Sequence, residues 1–283
     1  MKSLTSLVAI FAVATPTLAL ADGHSVSDEV IAEQRAALAS ATDGAGFGPQ
    51  SPRDLETVSG DNQRMFNTAP PYTEMNLCNI HFHEGAEHRG GEYTTYLGNG
   101  DGTGYGTGFG YDGELTEAEL APYDSPVGEF EKGELVPGET IEVHYVHTTA
   151  QITPGPTLGA CLSESIVNPQ LRVEGQVFVL VNDENAANFA DMMEIGVVNG
   201  YHQALYIPAD TGAPITYPGS TTGPSYNTKG SPIQVSWSMR PGVIKVDIRS
   251  VDAWLSDNPF DEKYAHGVRN LVVNPALISD LDG

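Results

Sequence analysis

The sequence predicts a β-rich fold with a mainly antiparallel central sheet and short peripheral helices. Residues 75–82 and 140–147 carry histidine and apolar side chains at the two-residue spacing of strands. The run Gln176-Val177-Phe178-Val179-Leu180-Val181 is continuously apolar, which predicts a buried central strand. Residues 27–42 have the apolar spacing of an amphipathic helix, so we expect helices to pack at the periphery of the sheet.

The N-terminus has the pattern of a secretory signal peptide. Met1-Lys2 is followed by an apolar run over residues 4–20 and by the small residues Ala19-Leu20-Ala21. We therefore expect residues 1–21 to be removed and the protein to be exported, periplasmic or secreted. A retained membrane span is the alternative, but Thr15-Pro16-Thr17 interrupts the run and no stop-transfer pattern follows it.

Residues 22–283 are expected to form one domain, because β-rich folds commonly reach this size as a unit and no linker divides the stretch. Within it, residues 22–74 are an N-terminal extension of helix and loop. The helix over 27–42 has acidic residues in its first turn, and glycine and proline between Gly44 and Pro52 end it. Residues 53–72 are predicted as loop, with Pro70-Pro71 leading into the first strand.

The glycine-rich stretch 98–113 is predicted as a surface loop. A calcium site is the alternative, which we disfavour because the stretch has only two acids, Asp101 and Asp112, and no second copy. Further on, residues 182–193 pass into a short helix, and residues 215–224 are predicted as a turn-rich loop. Residues 233–238 and 243–248 are predicted as strands around an Arg240-Pro241-Gly242 turn, followed by a short helix at 250–255.

The charge balance is strongly acidic, with 37 acidic and 13 basic residues. Such a surface repels nucleic acid and anionic membranes, so neither is expected as a partner. A small-molecule substrate is expected instead, with no membrane contact after signal removal. The sequence leaves the oligomeric state open.

Two cysteines, Cys78 and Cys161, lie in the exported part of the chain. An oxidising compartment permits a disulfide, so we predict a Cys78–Cys161 bridge. It would anchor the strand three residues before His81. Metal ligation by cysteine is the weaker alternative, because no Cys-x-x-Cys spacing is present.

The histidines predict a metal site. His81 and His83 project from one face of a strand, and His144 on a second strand can complete three nitrogen ligands with one open position, as in catalytic zinc sites. Glu142 stands two residues before His144, and Asn79 two before His81. Each can accept a hydrogen bond from the outer ring nitrogen of its histidine, as metal-bound histidines usually require. The alternative is a pair of ordinary histidines on a half-exposed strand.

These residues resemble the delta class of carbonic anhydrases and its bacterial relatives. The similar stretches run in family order over about residues 75–273 and are Cys78 to His88, Gly91-Glu92-Tyr93, Ile141-Glu142-Val143-His144, Gly175 to Glu184, Tyr217 to Gly223, Val235-Ser236-Trp237 and Ala265-His266-Gly267. The alpha class shares the His-x-His strand, the Glu-x-His strand and the Tyr-Pro-Gly-Ser loop. The resemblance implies an alpha-carbonic-anhydrase-like fold.

The resemblance also implies the chemistry. His81, His83 and His144 match the ligands of zinc, which Co²⁺ or Cd²⁺ could replace, and Glu142 and Asn79 match their hydrogen-bond partners. Glu87 and Thr222 match the acid and the hydroxyl that orient zinc-bound hydroxide for attack on carbon dioxide, giving bicarbonate and a proton. Val146, Val177 and Trp237 are candidates for the substrate pocket, although each is equally well explained as ordinary core.

Two departures from the alpha class matter. Glu84 replaces an apolar residue after the second histidine, and residues 53–72 contain no histidine where that class keeps its proton shuttle. The histidines left for this role are His88, His147, His202 and His266. The sequence does not choose among them.

Two other functions remain open. A cupin-type site could use the same three histidines with Glu87 and suit iron or manganese, but the stretches 176–184 and 217–223 have no place in it. The other is a periplasmic metal-binding protein that keeps the fold without turnover.

Overall fold

The computed structural model of the protein describes residues 25–221, 225 and 227–281. The predicted signal peptide, residues 1–21, and Thr222 lie outside this part of the chain. Three α-helices are described: α1 (Asp28–Thr42), α2 (Phe189–Met192) and α3 (Ile248–Ser256). The nine described strands are β1 (Asn76–Glu84), β2 (Thr95–Asn99), β3 (Thr107–Gly110), β4 (Thr140–Thr148), β5 (Leu171–Val181), β6 (Ile195–Val198), β7 (Tyr201–Ala204), β8 (Ile215–Ser220) and β9 (Gln234–Asp247).

The central sheet has five strands in the order β1-β4-β5-β9-β8. Every neighbouring pair is antiparallel except β5 and β9, which are parallel. The predicted β-rich, mainly antiparallel fold is therefore confirmed, with one parallel pair that the sequence analysis did not anticipate. β5 lies at the centre and is buried along almost its whole length, as its continuous apolar run predicted.

The sheet separates two apolar clusters. On one face, Phe82 and Tyr145 of β1 and β4 pack with Phe189 of α2 and Trp254 of α3. On the other face, Val146, Val177 and Trp237 belong to the second cluster. Because residues alternate between faces along a strand, the histidines at 81, 83 and 144 project toward this second side. The two short helices therefore cover the face that does not carry the histidines.

Two segments that the sequence predicts as turn or loop form strands in the structure. Residues 215–220, predicted as loop, form β8 at the edge of the sheet, with Pro218 opposite Ser236 of β9. An edge strand tolerates proline because one side of its backbone needs no ladder hydrogen bonds. The Arg240-Pro241-Gly242 turn is instead a local irregularity within a continuous β9, where the register against β5 shifts.

The glycine-rich stretch is a hairpin of β2 and β3 rather than only a surface loop. Its strand β3 is buried and exchanges backbone hydrogen bonds of 2.9 Å between Phe109 and Ala86. Gly108 has a φ of 93°, and a Cβ there would lie 2.6 Å from the Ala86 carbonyl oxygen. The glycine is thus needed for close backbone contact. Asp101 accepts hydrogen bonds from Thr103, Tyr105 and Lys132, which accounts for this acid without calcium.

The N-terminal extension is tied to the C-terminal segment. Helix α1 lies where the sequence predicts a helix. Residues 48–53, which follow the helix, are buried. The buried Arg53 guanidinium donates to the carbonyl oxygens of Thr57 and Ser279. A disulfide joins Cys78 to Cys161, as predicted. Among the described helices, none combines the length and apolar character needed to cross a bilayer.

Candidate metal centre

Three imidazoles converge on the second face of the sheet. β1 and β4 pair so that His81 lies opposite His144 and His83 opposite Glu142. One ring nitrogen from each of His81, His83 and His144 lies within 4.8 Å of the others. His83 and His144 are buried, and His81 is partly exposed. The predicted ligand set is therefore brought together by the strand register alone.

The outer nitrogen of His81 is held by Asn79. The Asn79 Oδ1 atom lies 2.6 Å from His81 Nδ1, and Asn79 Nδ2 donates to the Gly155 carbonyl oxygen at 3.1 Å. The second bond orients the amide so that its oxygen faces the imidazole. His81 Nδ1 therefore carries the hydrogen, and the lone pair is on Nε2.

The outer nitrogen of His83 is held by a backbone carbonyl. His83 Nδ1 lies 2.9 Å from the oxygen of Gly267. A carbonyl oxygen only accepts, so Nδ1 carries the hydrogen and Nε2 keeps the lone pair. His83 Nε2 is buried and has no hydrogen-bond partner among the described residues. An orphaned buried nitrogen is costly unless a ligand satisfies it.

His144 has the opposite orientation. Its Nε2 lies 2.7 Å from Oε1 of Glu142, so Nε2 carries the hydrogen and Nδ1 has the lone pair. That Nδ1 lies 3.3 Å from His81 Nε2, which also has a lone pair. Two acceptors at this distance repel unless a cation lies between them. Three nitrogen donors without a carboxylate suit zinc, so these residues fit the ion that the sequence analysis predicted.

Burial keeps the three imidazoles neutral. It lowers the pKa of His83 to about 4 and holds the pKa of His81 well below its usual value, with neighbouring histidines adding to the effect. Burial also lowers the pKa of His144, which its hydrogen bond to Glu142 partly offsets. A neutral imidazole is the form that binds metal.

Glu142 is shared between two imidazoles. Its Oε1 also accepts from Nδ1 of His88 at 2.7 Å, and its Oε2 accepts from the His88 backbone N–H at 3.0 Å. Burial disfavours charge on Glu142, but His88 and His144 together hold its pKa well below the usual value. His88, Glu142 and His144 also lie close enough to suggest a metal. Their contacts are hydrogen bonds of 2.7 Å, which leave no converging lone pairs.

The hydrogen-bond chain continues to the N-terminal extension. Nε2 of His88 lies 2.6 Å from the hydroxyl of Tyr217, which lies 3.0 Å from Oγ of Ser51. Ser51 Oγ also accepts from the backbone N–H of Ser220 at 3.1 Å. A metal-site imidazole is thus connected through buried groups to a segment of the extension, and the sequence analysis missed this connection.

Glu87 lies near the hydrogen-bearing nitrogens of His83 and His144, not on the side where the lone pairs of the imidazoles converge. Its Oε1 accepts from the Arg269 backbone N–H at 2.8 Å and lies 3.6 Å from His83 Nδ1. Its Oε2 lies 3.9 Å from His144 Nε2. Both are the hydrogen-bearing nitrogens, so Glu87 faces away from the converging lone pairs. Burial raises the pKa of Glu87.

The other predicted site residues have different surroundings. The Trp237 ring is 4.9 Å from the His144 ring, whereas Val146 and Val177 are buried in the same apolar cluster. Thr222, outside the described residues, follows Thr221, whose backbone N–H donates to the Ile233 carbonyl oxygen at 3.1 Å. Glu84 accepts from the backbone N–H of Gly106 and so ties β1 to the hairpin.

The four histidines considered for proton transfer are not equivalent. His88 and His147 are buried. His202 is partly exposed on β7. His266 is exposed, its ring is 5.5 Å from the ring of His81, and its Nε2 lies 2.6 Å from Glu262 Oε2. Of these four, His266 is the one that combines solvent exposure with a ring beside a predicted ligand.

Comparison with known proteins gives one family match. The family model described as delta carbonic anhydrase matches residues 72–250. No curated protein matches the chain. Among solved structures, a halotolerant carbonic anhydrase from Dunaliella salina is 18% identical with a TM-score of 0.26, over 50% of this chain. The chain spans 49% of that protein.

Two further structures match over more of the chain. An alpha-carbonic anhydrase from Photobacterium profundum is 14% identical over 87% of this chain and 95% of its own, with a TM-score of 0.28. A carbonic anhydrase from Chlamydomonas reinhardtii, in complex with acetazolamide, is 17% identical over 80% of this chain and 87% of its own, with a TM-score of 0.27.

Proposed function

The chain belongs to the delta carbonic anhydrase family, and on that premise we propose that it is a zinc-dependent lyase that reversibly hydrates carbon dioxide to bicarbonate and a proton. One observation carries the proposal. His81, His83 and His144 each have their outer nitrogen held by an acceptor, and their remaining lone pairs converge. Converging lone pairs cannot form hydrogen bonds with one another, but together they can bind a cation.

The three histidines would hold the zinc ion. When bound, zinc lowers the pKa of a water molecule to about 7 and so supplies hydroxide at neutral pH. Asn79, the Gly267 carbonyl and Glu142 would keep each ring in the tautomer that leaves its inner nitrogen free. The anionic Glu142 would also make His144 a more basic ligand.

Glu87 and Thr222 are proposed to orient the nucleophile. The Thr222 hydroxyl would donate its hydrogen to Glu87 and accept that of the attacking hydroxide, so that a lone pair faces the carbon of carbon dioxide. The Arg269 N–H bond to Glu87 Oε1 supports this proposal, because it fixes the carboxyl group and leaves Oε2 for another donor. Val146, Val177 and Trp237 are proposed as the apolar wall beside the substrate.

The cupin-type alternative is disfavoured by the position of Glu87. A carboxylate ligand would have to reach the side of the rings that carries the lone pairs, whereas Glu87 faces the hydrogen-bearing nitrogens of His83 and His144. A zinc-binding protein without turnover has the same ligands, so only activity separates it from an enzyme.

We also propose that the protein is exported to the periplasm or secreted. Two observations support this location: the N-terminal charged, apolar and small-residue pattern, and the Cys78–Cys161 disulfide, which needs an oxidising compartment.

The proposed function is tested by metal analysis and stopped-flow hydration of carbon dioxide on the same samples. The wild type should bind one zinc ion per chain and catalyse hydration. His81→Ala, His83→Ala and His144→Ala should each lose both, since each removes a ligand. Thr222→Ala should keep its zinc but lose about 10²–10³-fold in turnover, because it removes only an orienting hydrogen bond.

His202→Ala is the matched control, since this histidine lies on β7 and takes no part in the site; it should keep both zinc and turnover. If the wild type binds zinc but does not catalyse hydration, the protein is a zinc-binding protein without turnover. If metal analysis finds iron or manganese instead of zinc, the cupin-type alternative is favoured. Full zinc occupancy in a ligand variant would refute the ligand assignment. A Thr222→Ala turnover within about twofold of the wild type would refute the orienting role.

A further inference from the structure

The hairpin of β6 and β7 ends in an exposed Asn-Gly turn. Asn199 and Gly200 join the two strands, and both residues are exposed. Val198 pairs with Tyr201 on either side of them, and their φ angles are 52° and 88°. Positive φ at both central residues is the geometry of a type I′ turn, for which Asn-Gly is a preferred sequence. The dipeptide therefore lies at the tip of the hairpin, in contact with solvent.

An asparagine followed by glycine can lose its side-chain amide without an enzyme. The glycine backbone nitrogen, once solvent has removed its proton, attacks the asparagine Cγ, and the bond from Cγ to Nδ2 breaks so that ammonia leaves with a proton from solvent. Water then opens the cyclic imide at either carbonyl carbon and gives aspartate or isoaspartate, so the net reaction consumes one water molecule. Glycine favours the attack because it has no Cβ to shield its nitrogen.

No described residue holds the Asn199 side chain. Its amide has no hydrogen bond with any described residue, and the Gly200 backbone N–H donates to none of them. A Cβ built on Gly200 would meet nothing within 4 Å, so the space around this glycine is open. Ring closure requires the turn to open locally, and the strands on either side have only four residues each, with Val197 66% exposed. Opening the tip therefore breaks few contacts.

The second Asn-Gly pair of the sequence, Asn99 and Gly100, has different surroundings. The Nδ2 atom of Asn99 donates to the Val26 carbonyl oxygen at 3.0 Å and to Asp28 Oδ1 at 2.8 Å. Its Oδ1 atom accepts from the Tyr96 hydroxyl at 2.7 Å. The Gly100 carbonyl oxygen also accepts from the Val26 backbone N–H at 2.9 Å. Turning the Asn99 amide toward the Gly100 nitrogen would break three side-chain hydrogen bonds, each of which stabilises the present rotamer.

We propose that Asn199 is a site of spontaneous deamidation and that the fold protects Asn99 from the same reaction. The products add a carboxylate to the tip of the hairpin, and isoaspartate also lengthens the backbone before Gly200 by one carbon atom. A two-residue type I′ turn does not accommodate an extra backbone atom, so the pairing of Val198 with Tyr201 weakens in the isoaspartate form. No residue of the metal centre takes part, so the proposal stands independently of the proposed hydration activity.

The test is peptide mapping by mass spectrometry after the purified, folded protein has been incubated in mildly alkaline buffer. Reduction and chymotrypsin digestion place Asn99 and Asn199 in separate peptides, because aromatic residues lie between them. Aspartate and isoaspartate together should form at residue 199 at least about tenfold faster than at residue 99. In urea, where the fold is lost, the two sites should react at rates within about threefold of each other.

The double variant Tyr96→Phe/Asp28→Ala tests the protection of Asn99, because it removes two of the three hydrogen bonds to that amide. It should speed deamidation at residue 99 at least about threefold and leave the rate at residue 199 unchanged. A folded wild type that converts residue 99 as fast as residue 199 would overturn the proposal. So would a residue 199 that stays intact in the folded protein but reacts in urea, since the turn would then protect it. An unchanged rate at residue 99 in the double variant would overturn the protective role of these hydrogen bonds.

Discussion

At the scale of single residues, the structure connects His88 to the metal site, and no sequence pattern indicated this connection. It donates twice to Glu142, through Nδ1 and through its backbone N–H, and its Nε2 faces the Tyr217 hydroxyl. Glu142 in turn holds His144. His88 therefore acts on the metal site through one intermediate carboxylate and is a positioning residue.

We predict that His88→Phe lowers zinc affinity by about 10–100-fold, the usual effect of removing a group that orients a ligand. The buried Glu142 carboxylate would lose a charge-compensating donor and hold His144 less firmly. Competition with a chelator of known affinity measures the change. Tyr217→Phe should have a smaller effect in the same direction, because it removes only the hydroxyl beside His88. Zinc affinity of His88→Phe within about twofold of the wild type would contradict the positioning role.

At the scale of elements, the disulfide and the metal strand are connected. Cys78 lies in β1, and its partner Cys161 ends the 3₁₀ turn Leu158–Cys161. The intervening loop returns to β1 at Gly155, whose N–H donates to the Cys78 carbonyl and whose oxygen accepts from Asn79. Asn79 holds His81, so the loop that the disulfide anchors also orients a ligand.

We therefore predict that the double variant Cys78→Ser/Cys161→Ser loses about 2–5 kcal/mol of unfolding free energy, the usual effect of removing a disulfide from an exported domain. Urea denaturation measures the loss. Wild-type protein unfolded in the presence of reductant should have the same midpoint as the variant. Equal midpoints for the variant and the oxidised wild type would show that the bridge contributes nothing.

The turn before β4 contains a carboxyl group that destabilises the fold at high pH. Burial is the main cause that raises the pKa of Glu139 from 4.5 to about 8; the nearby Glu84 and Glu134 contribute to the rise, and the hydrogen bond from the Val136 N–H opposes it. The folded state therefore holds this proton more tightly than the unfolded state. The resulting stability is fully present below pH 4.5 and is lost as pH rises through about 8.

Glu139→Gln should remove this dependence. Its unfolding free energy relative to the wild type should rise between pH 4.5 and 8 by at most about 1.4 kcal/mol per pH unit. Glutamine keeps an acceptor for the Val136 N–H, so the turn should be preserved. Thermal unfolding across this pH range measures the difference, with Glu164→Gln as the control, since Glu164 is exposed and does not influence Glu139. A constant difference between Glu139→Gln and the wild type at all pH values would refute the prediction.

At the scale of the whole molecule, the formal net charge of −24 is the dominant property. Like charges repel more strongly in the compact state than in the expanded chain, and salt screens them over a Debye length that falls from about 30 Å at 0.01 M to about 8 Å at 0.15 M. The fold is therefore expected to gain stability from added salt.

We predict that the unfolding temperature rises between 10 mM and 0.5 M NaCl, with about 2–4 °C for each kcal/mol of repulsion that is screened. Differential scanning calorimetry measures the change. Sucrose at matched osmolality controls for general solute exclusion, and should account for only part of the rise. An unfolding temperature that stays constant or falls with NaCl would show that favourable ion pairs outweigh the net repulsion.

The sequence by itself determined what depends on short spacing. The two-residue period of a strand placed His81 and His83 on one face and Glu142 beside His144. The apolar run of β5 marked the central strand, and the acidic first turn and periodicity of α1 marked the helix. These features follow from backbone geometry within a few residues, which a sequence displays directly.

Only the tertiary structure decided which distant groups complete the site. The Gly267 carbonyl on His83 and the Arg269 N–H on Glu87 are backbone groups, which every residue has and no sequence pattern marks. Likewise, Pro218 looked like a turn residue until the sheet order placed it on an edge strand, where a missing N–H does no harm. Such contacts depend on sheet order and strand register, and these are set by packing across the whole chain.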